Sequence, residues 1–141
     1  MVFNGDVIRE LAMQFLVLAE KQGTTVPLML GHRLMGVSLT ILADFAGARV
    51  HLDRAIALYD AAAHRPLAAR FGQDAGVTIL IQRSMALWYL GYPEAALADA
   101  ERALKDARAI GQAATLLYAL NFIPLTYFHC GNYAAVNAPL E

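Results

Sequence analysis

The chain repeats itself. Residues 39–56, LTILADFAGARVHLDRAI, lie over residues 87–104, LWYLGYPEAALADAERAL, with a shift of 48, which sets Ala48 on Ala96, Arg54 on Arg102, Ala55 on Ala103 and Ile56 on Leu104. A further shift of 40 brings in residues 127–136, YFHCGNYAAV, with Gly131 on Gly91, Tyr133 on Pro93 and Val136 on Ala96. A unit that recurs in this way cannot bury its apolar face alone and needs its neighbours stacked on it. This constrains the chain to piled helix–turn–helix hairpins, and piled hairpins present binding or scaffolding surfaces.

Helical spacing runs almost throughout. Val7, Leu11, Phe15 and Leu18 recur at three and four residues, the mark of an amphipathic helix. Asn4 or Asp6 can cap it and Gly23 can end it. A second helix opens at residues 24–27, where Pro27 is tolerated because a first-turn N–H has no partner to lose, and reaches about Ala43. Asp44 can cap a third over about 45–62. Pro66, Gly72 and Gly76 then mark a longer connection around 64–74. Further helices are predicted over about 75–90, 93–110 and 112–130, with Pro124 kinking the last of these, and a seventh starts at Tyr133. No alternating β pattern is present, so the fold class is all-α.

The types of residue at the repeated positions have physical reasons. Ala48, Ala55, Ala96 and Ala103 are small where two helices cross closely, while Leu52, Ile56, Leu97 and Leu104 are large enough to interlock. Gly91 and Gly131 suit a turn with a positive φ. In the helix over 93–110, acids lie early (Glu94, Asp99, Glu101) and bases late (Lys105, Arg108), which favours the helix dipole. The Glu101–Lys105 and Arg102–Asp106 spacings add pairs of roughly 0.2–0.5 kcal/mol each. These charges are read as a solvated face.

Composition narrows the class of function. The formal charge is −1, which gives no field to attract nucleic acid or anionic lipid. The apolar fraction of 58 % is high, and residues 113–130 carry no formal charge. Asn121, Pro124, Thr126 and His129 interrupt that stretch, however, so it is predicted to be a buried helix rather than a membrane span. Cys130 is the one cysteine and cannot form an internal disulfide, which suits a reducing compartment. Asn4, Asp6, Arg9 and Glu10 leave no room for a signal peptide. The expected location is cytoplasmic.

No catalytic or metal pattern appears. The four histidines, His32, His51, His64 and His129, form no HExxH and no i,i+4 pair. His129 and Cys130 are adjacent and point about 100° apart on a helix, so they are read as structural. No P-loop, GxSxG or GxGxxG is present. The chain is expected to be no enzyme and to hold no cofactor or metal.

Gly91-Tyr92-Pro93-x-x-Ala96 followed by Ala103-Leu104, together with Asp44-Phe45-x-x-Ala48 followed by Ala55-Ile56 and the start at Gly131-Asn132-Tyr133, resembles the second half of a tetratricopeptide (TPR) repeat. Ala43 stands where the first copy would have glycine. Gly36 sits at the family's internal glycine, with Ser84 and Pro124 in that slot in the other copies. Arg83 stands where a leucine is expected, and no copy has the helix-A tryptophan. Spacings of 48 and 40 exceed the usual ~34. The chain therefore looks most like the divergent bacterial arrays of adenylate/guanylate cyclases and of ATPase-type (MalT-like) transcriptional regulators.

The resemblance implies a right-handed α-solenoid of about seven helices. It would form one TPR-like domain over residues 1–141, with copies at roughly 26–62, 75–110 and 112–141. The first helix of each pair would line a concave face. Carried across, its ligand-facing positions are Arg33, Val37, Thr40 and Ile41, then Thr78, Ile81, Met85, Trp88 and Tyr89, then Tyr118, Asn121, Leu125, Phe128 and His129. Trp88 is the foremost candidate contact. Arg33 would meet a carboxylate and Asn121 a peptide backbone. The equal alternative is that these aromatics pack on the next helix. The implied partner is a protein or peptide segment, or neighbouring domains of a larger bacterial signalling protein. Apolar residues near both ends, including Phe15, Leu16, Leu18, Tyr127, Phe128 and Val136, suggest a piece of a longer array that pairs as a homodimer or end to end. The other readings are a spacer or oligomerisation element, and a small-molecule sensor with a pocket among Trp88, Tyr89, Tyr118 and Asn121.

Overall fold

The computed structural model describes residues 4–132 and 135–136. Among the described residues every regular element is helical and no strand occurs. The order is α1 (Gly5–Gln22), α2 (Thr25–Ile41), α3 (Phe45–Leu58), α4 (Ala61–His64), a 3₁₀ turn (Arg65–Leu67), α5 (Ala68–Phe71), α6 (Ala75–Tyr89), α7 (Pro93–Ile110) and α8 (Ala113–His129). The helix expected from Tyr133 onward lies outside the described residues. The chain forms two compact units, Met1–Tyr59 and Asp60–Glu141.

One turn is used three times. At the end of α2, the Ala43 N–H donates to the Thr40 carbonyl (3.1 Å) and the Asp44 N–H to the Leu39 carbonyl (2.9 Å). Gly91 and Tyr92 make the same two bonds to Trp88 (3.0 Å) and Leu87 (2.9 Å), and Gly131 and Asn132 make them to Phe128 (3.1 Å) and Tyr127 (2.9 Å). This pairing is the Schellman closure, which satisfies helix-end carbonyls at the cost of one left-handed residue. Gly91 and Gly131 have φ of 87° and 73°, whereas Ala43 adopts φ 61° with a side chain present. The three closures are spaced by the same 48 and 40 residues as the sequence repeat.

In the first unit α1, α2 and α3 run antiparallel in series. The Asn4 side chain caps α1 and Gly23 closes it at φ 67°. Asp44 caps α3 by accepting from the Gly47 N–H at 2.9 Å. Two glycines of α2 set the spacing. A Cβ on Gly31 would lie 3.2 Å from the Leu16 Cα of α1, and one on Gly36 would lie 2.5 Å from the Leu52 Cγ of α3. Leu52 is fully buried and has nowhere to move, so the absent side chain at 36 and the large one at 52 belong together. The positions 48 residues later carry Ser84 and Ala100, also fully buried. Ala48, Ala55, Ala96 and Ala103 are all fully buried, as close helix crossings require.

In the second unit α7 packs on α6, and α8 packs on both. The α6–α8 pairs ascend together: the Asp74 N–H to Thr115 Oγ1 at 2.8 Å, Ser84 Oγ to Thr126 Oγ1 at 3.3 Å, and the Trp88 ring on that of His129. The two helices are therefore parallel, with α7 antiparallel to α6. Residues 75–81 are buried without interruption, so this part of α6 has no solvent face.

The connection departs from expectation. The third helix stops at Leu58 rather than about Ala62 because the Asp60 carboxylate accepts from the Ala62 and Ala63 N–H groups (2.8 and 3.3 Å) and starts a new helix. His64 Nδ1 accepts from the Asp60 N–H at 2.9 Å, a reciprocal cap of the capping-box kind. Two short helices and a 3₁₀ turn thus occupy the expected loop. Gln112 Nε2 donates to the carbonyls of Ala68 (3.3 Å) and Gly72 (3.0 Å) and fastens this segment to the start of α8. α8 continues through Pro124.

The left-handed closure makes a prediction at Ala43. An L-residue with a Cβ costs roughly 1–2 kcal/mol there relative to glycine's freedom, so Ala43→Gly should stabilise the chain by about 1 kcal/mol. Gly91→Ala should destabilise it by a similar amount. Urea unfolding midpoints of the two variants should shift in opposite directions.

Candidate functional site

The α6–α8 face of the second unit gathers the largest share of the anticipated ligand-facing residues. Trp88 is half-buried, its ring stacked on His129 with centroids 4.5 Å apart and planes tilted by 23°. Tyr89 meets Trp88 edge-on at 4.8 Å and is 49 % exposed. One turn back on α8, Leu125 is exposed, as is Phe128 beside His129. Parallel α6 and α8 bring Met85, Trp88 and Tyr89 beside Leu125, Thr126 and His129. The side chains of Tyr118 and Gln82 are hydrogen-bonded, and the Tyr118 ring packs against Phe122 at 4.6 Å. Asn121 is exposed on α8.

Two further anticipated residues of the second unit, Thr78 and Ile81, do not join this group. Thr78 is fully buried and its hydroxyl donates to the Ala75 carbonyl at 3.0 Å, so it offers no contact surface. Ile81 is fully buried too. Arg33 and Thr40 belong to the first unit, both half-buried, and the Thr40 hydroxyl donates to the Gly36 carbonyl at 2.9 Å.

The shape of the face limits what it can hold. Between Met85, Trp88, Tyr89, Leu125, Thr126 and His129 the cavity is about 30 Å³, enough for about one water. Small-molecule pockets run roughly 300–1,000 Å³. This is a shallow aromatic surface, suited to contact rather than enclosure. In the first unit an open apolar groove of about 300 Å³ runs between α1 and α2, lined by Ile8, Leu11, Ala12, Phe15, Leu34 and Val37.

Cys130 follows α8 as its C-cap. Burial pushes its thiol up, opposite to the shift that activates a nucleophile, and its Sγ lies 3.9 Å from the Pro93 carbonyl oxygen. Among the described residues, no three His, Cys, Asp or Glu side chains gather where a metal could sit, and no helix is long and apolar enough to cross a membrane.

Two polar contacts escaped the sequence. Asp99, read as part of a solvated face, is 8 % exposed and takes a two-pronged bond from Arg83, 2.7 Å from Nε and 2.8 Å from Nη2. Arg83 thus ties α6 to α7. In the first unit His32 of α2 and His51 of α3 approach to 3.0 Å between their Nδ1 atoms. Burial pushes both imidazoles below their ordinary value; at His32 the neighbouring His51 and Arg54 add to this, at His51 Arg54 does, and Glu20 opposes it at both. Adding 48 to 51 gives 99, so His51 and Asp99 hold corresponding positions. That correspondence was the one available signal that both reach across a hairpin.

Comparison with protein-family models, curated proteins and solved structures finds no match for this chain.

Because a two-pronged charged bond of this kind is worth about 1.5–3 kcal/mol, Asp99→Ala should lower stability by about that much. Arg83→Leu with Asp99→Leu should cost less than the two single changes summed, since no charge is left without its partner. A double-mutant cycle by chemical denaturation measures the difference.

Proposed function

We propose that the chain is a non-catalytic TPR-like module that recognises a protein or peptide segment through the α6–α8 face, within a larger bacterial signalling protein. The observation that carries this reading is the aromatic surface itself. Trp88 and His129 form a stacked base while Tyr89, Leu125 and Phe128 stand exposed beside it. Aromatic anchors with little cavity behind them suit a macromolecular contact, where rigid rings supply area at low entropic cost. The three equal helix closures and the parallel α6–α8 pair support the hairpin-repeat architecture on which a solenoid is built. The cavity of about 30 Å³ beside Trp88 and Tyr89 is lined by neither Tyr118 nor Asn121, so it lends no support to a small-molecule sensor at those four residues.

A second reading, self-association, rests on the first unit. Val7, Leu11, Phe15 and Leu18 of α1 are exposed and the α1–α2 groove is apolar. A spacer or oligomerisation element would use that surface.

Peptide arrays and pull-down separate the two. Binding to a segment should fall at least tenfold in Tyr89→Ala and Phe128→Ser, both exposed enough to leave the fold intact, and survive Leu11→Ser. Sedimentation across concentration should show association lost in Leu11→Ser if the second reading holds. Binding unaffected by either α6–α8 change would remove the peptide-face reading.

A further inference from the structure

We infer that the His32–His51 contact is a one-proton latch between α2 and α3, closed when the two imidazoles share a single proton and released when a second proton arrives. The geometry is the argument. At 3.0 Å between Nδ1 atoms, one nitrogen must carry the hydrogen and the other a lone pair, so the two rings hold opposite tautomers. An imidazolium has hydrogens on both nitrogens. A proton taken on the outer Nε2 of the donating ring leaves the contact in place, whereas a proton on the accepting Nδ1 turns it from a donor–acceptor pair into two N–H groups facing each other.

The surroundings add to that penalty. His32 is 7 % exposed, and the ring centroids are 5.2 Å apart, so two positive rings would sit together with little water between. The charged groups acting on the pair within the first unit are Arg54 of α3 and Glu20 of α1. Arg54 opposes a second charge, and exposed Glu20 is the single carboxylate acting in its favour. The consequent lowering of both imidazoles has a definite sign. Above the unfolded value of 6.5 both states are neutral and the latch is intact. As pH falls through 6.5 the open or unfolded chain takes up protons that the closed pair refuses, and stability is lost.

In the second hairpin Asp99, at the position corresponding to His51, meets Arg83 in an ion pair. The first hairpin carries two imidazoles there instead.

The test uses the full chain and amide hydrogen exchange of α2 and α3 between pH 7.5 and 5, corrected for intrinsic exchange, with imidazole nitrogen spectra in parallel. Each unit by which the closed pair resists protonation below 6.5 should lower protection about tenfold across that window, ahead of the amides of α6–α8. His51→Gln retains a hydrogen-bonding side chain and should flatten the profile. His51→Asp installs the carboxylate of the second hairpin, raises the His32 imidazole, and should reverse the slope, with protection present below 6.5 and lost as pH rises. The same pH profile in wild type and His51→Gln would overturn the latch. So would imidazoles that titrate in wild type with no change in α2–α3 protection.

Discussion

The left-handed residue that ends α2, α6 and α8 is the constraint on which the hairpins depend. A helix of this length leaves carbonyls that must find donors, and the chain must also turn back at once to cover an apolar face. One residue at positive φ does both, since it swings two N–H groups onto the last turn and delivers the next residue to an N-cap. After Ala43 that residue is Asp44, which caps α3 with its side chain. After Gly91 it is Tyr92, and Pro93 enters the first turn, where an N–H is dispensable. The helices can then cross as closely as their small residues allow.

Close crossing is achieved by complementary volumes rather than by one invariant residue. Gly36 lies against Leu52, whereas buried Ser84 and Ala100 hold the corresponding places, so each hairpin meets its crossing with a different pair of residues. The same freedom extends to the polar contacts. One hairpin uses an arginine–aspartate pair and the other two histidines; His51 and Asp99 are related by the repeat, while their partners His32 and Arg83 are not. A repeat seen in this way is a set of geometric requirements, and its residues are one solution each.

This explains what could be read from the sequence. The long helices, the caps at Asn4 and Asp44, the turn glycines and the four buried alanines follow from local rules and from spacing, and apart from the end of the third helix they stand in the structure within a residue or two. The connection after α3 was not legible, because a carboxylate at Asp60 competes with helix continuation and a lone Asp does not announce which side it caps. The site was legible only in part. Trp88, Tyr89 and His129 share a face because α6 and α8 run parallel, which the 40-residue shift implied. Thr78 failed because helical spacing alone gives no sign that the first turns of α6 are covered all round. Arg83–Asp99 and His32–His51 are pairings across a turn, and pattern along one helix cannot show them.

Gln112 gives the long repeat its physical meaning. Its amide nitrogen holds two carbonyls near the end of the connecting segment, while its oxygen caps the helix that follows. Asp74 is seized at the same place through Thr115. The connecting segment at the start of the second unit is therefore keyed to a helix some forty positions away in the same unit. Trimming the loop toward a more compact period would strand those donors and acceptors together, so length here is part of the mechanism of assembly and not surplus chain.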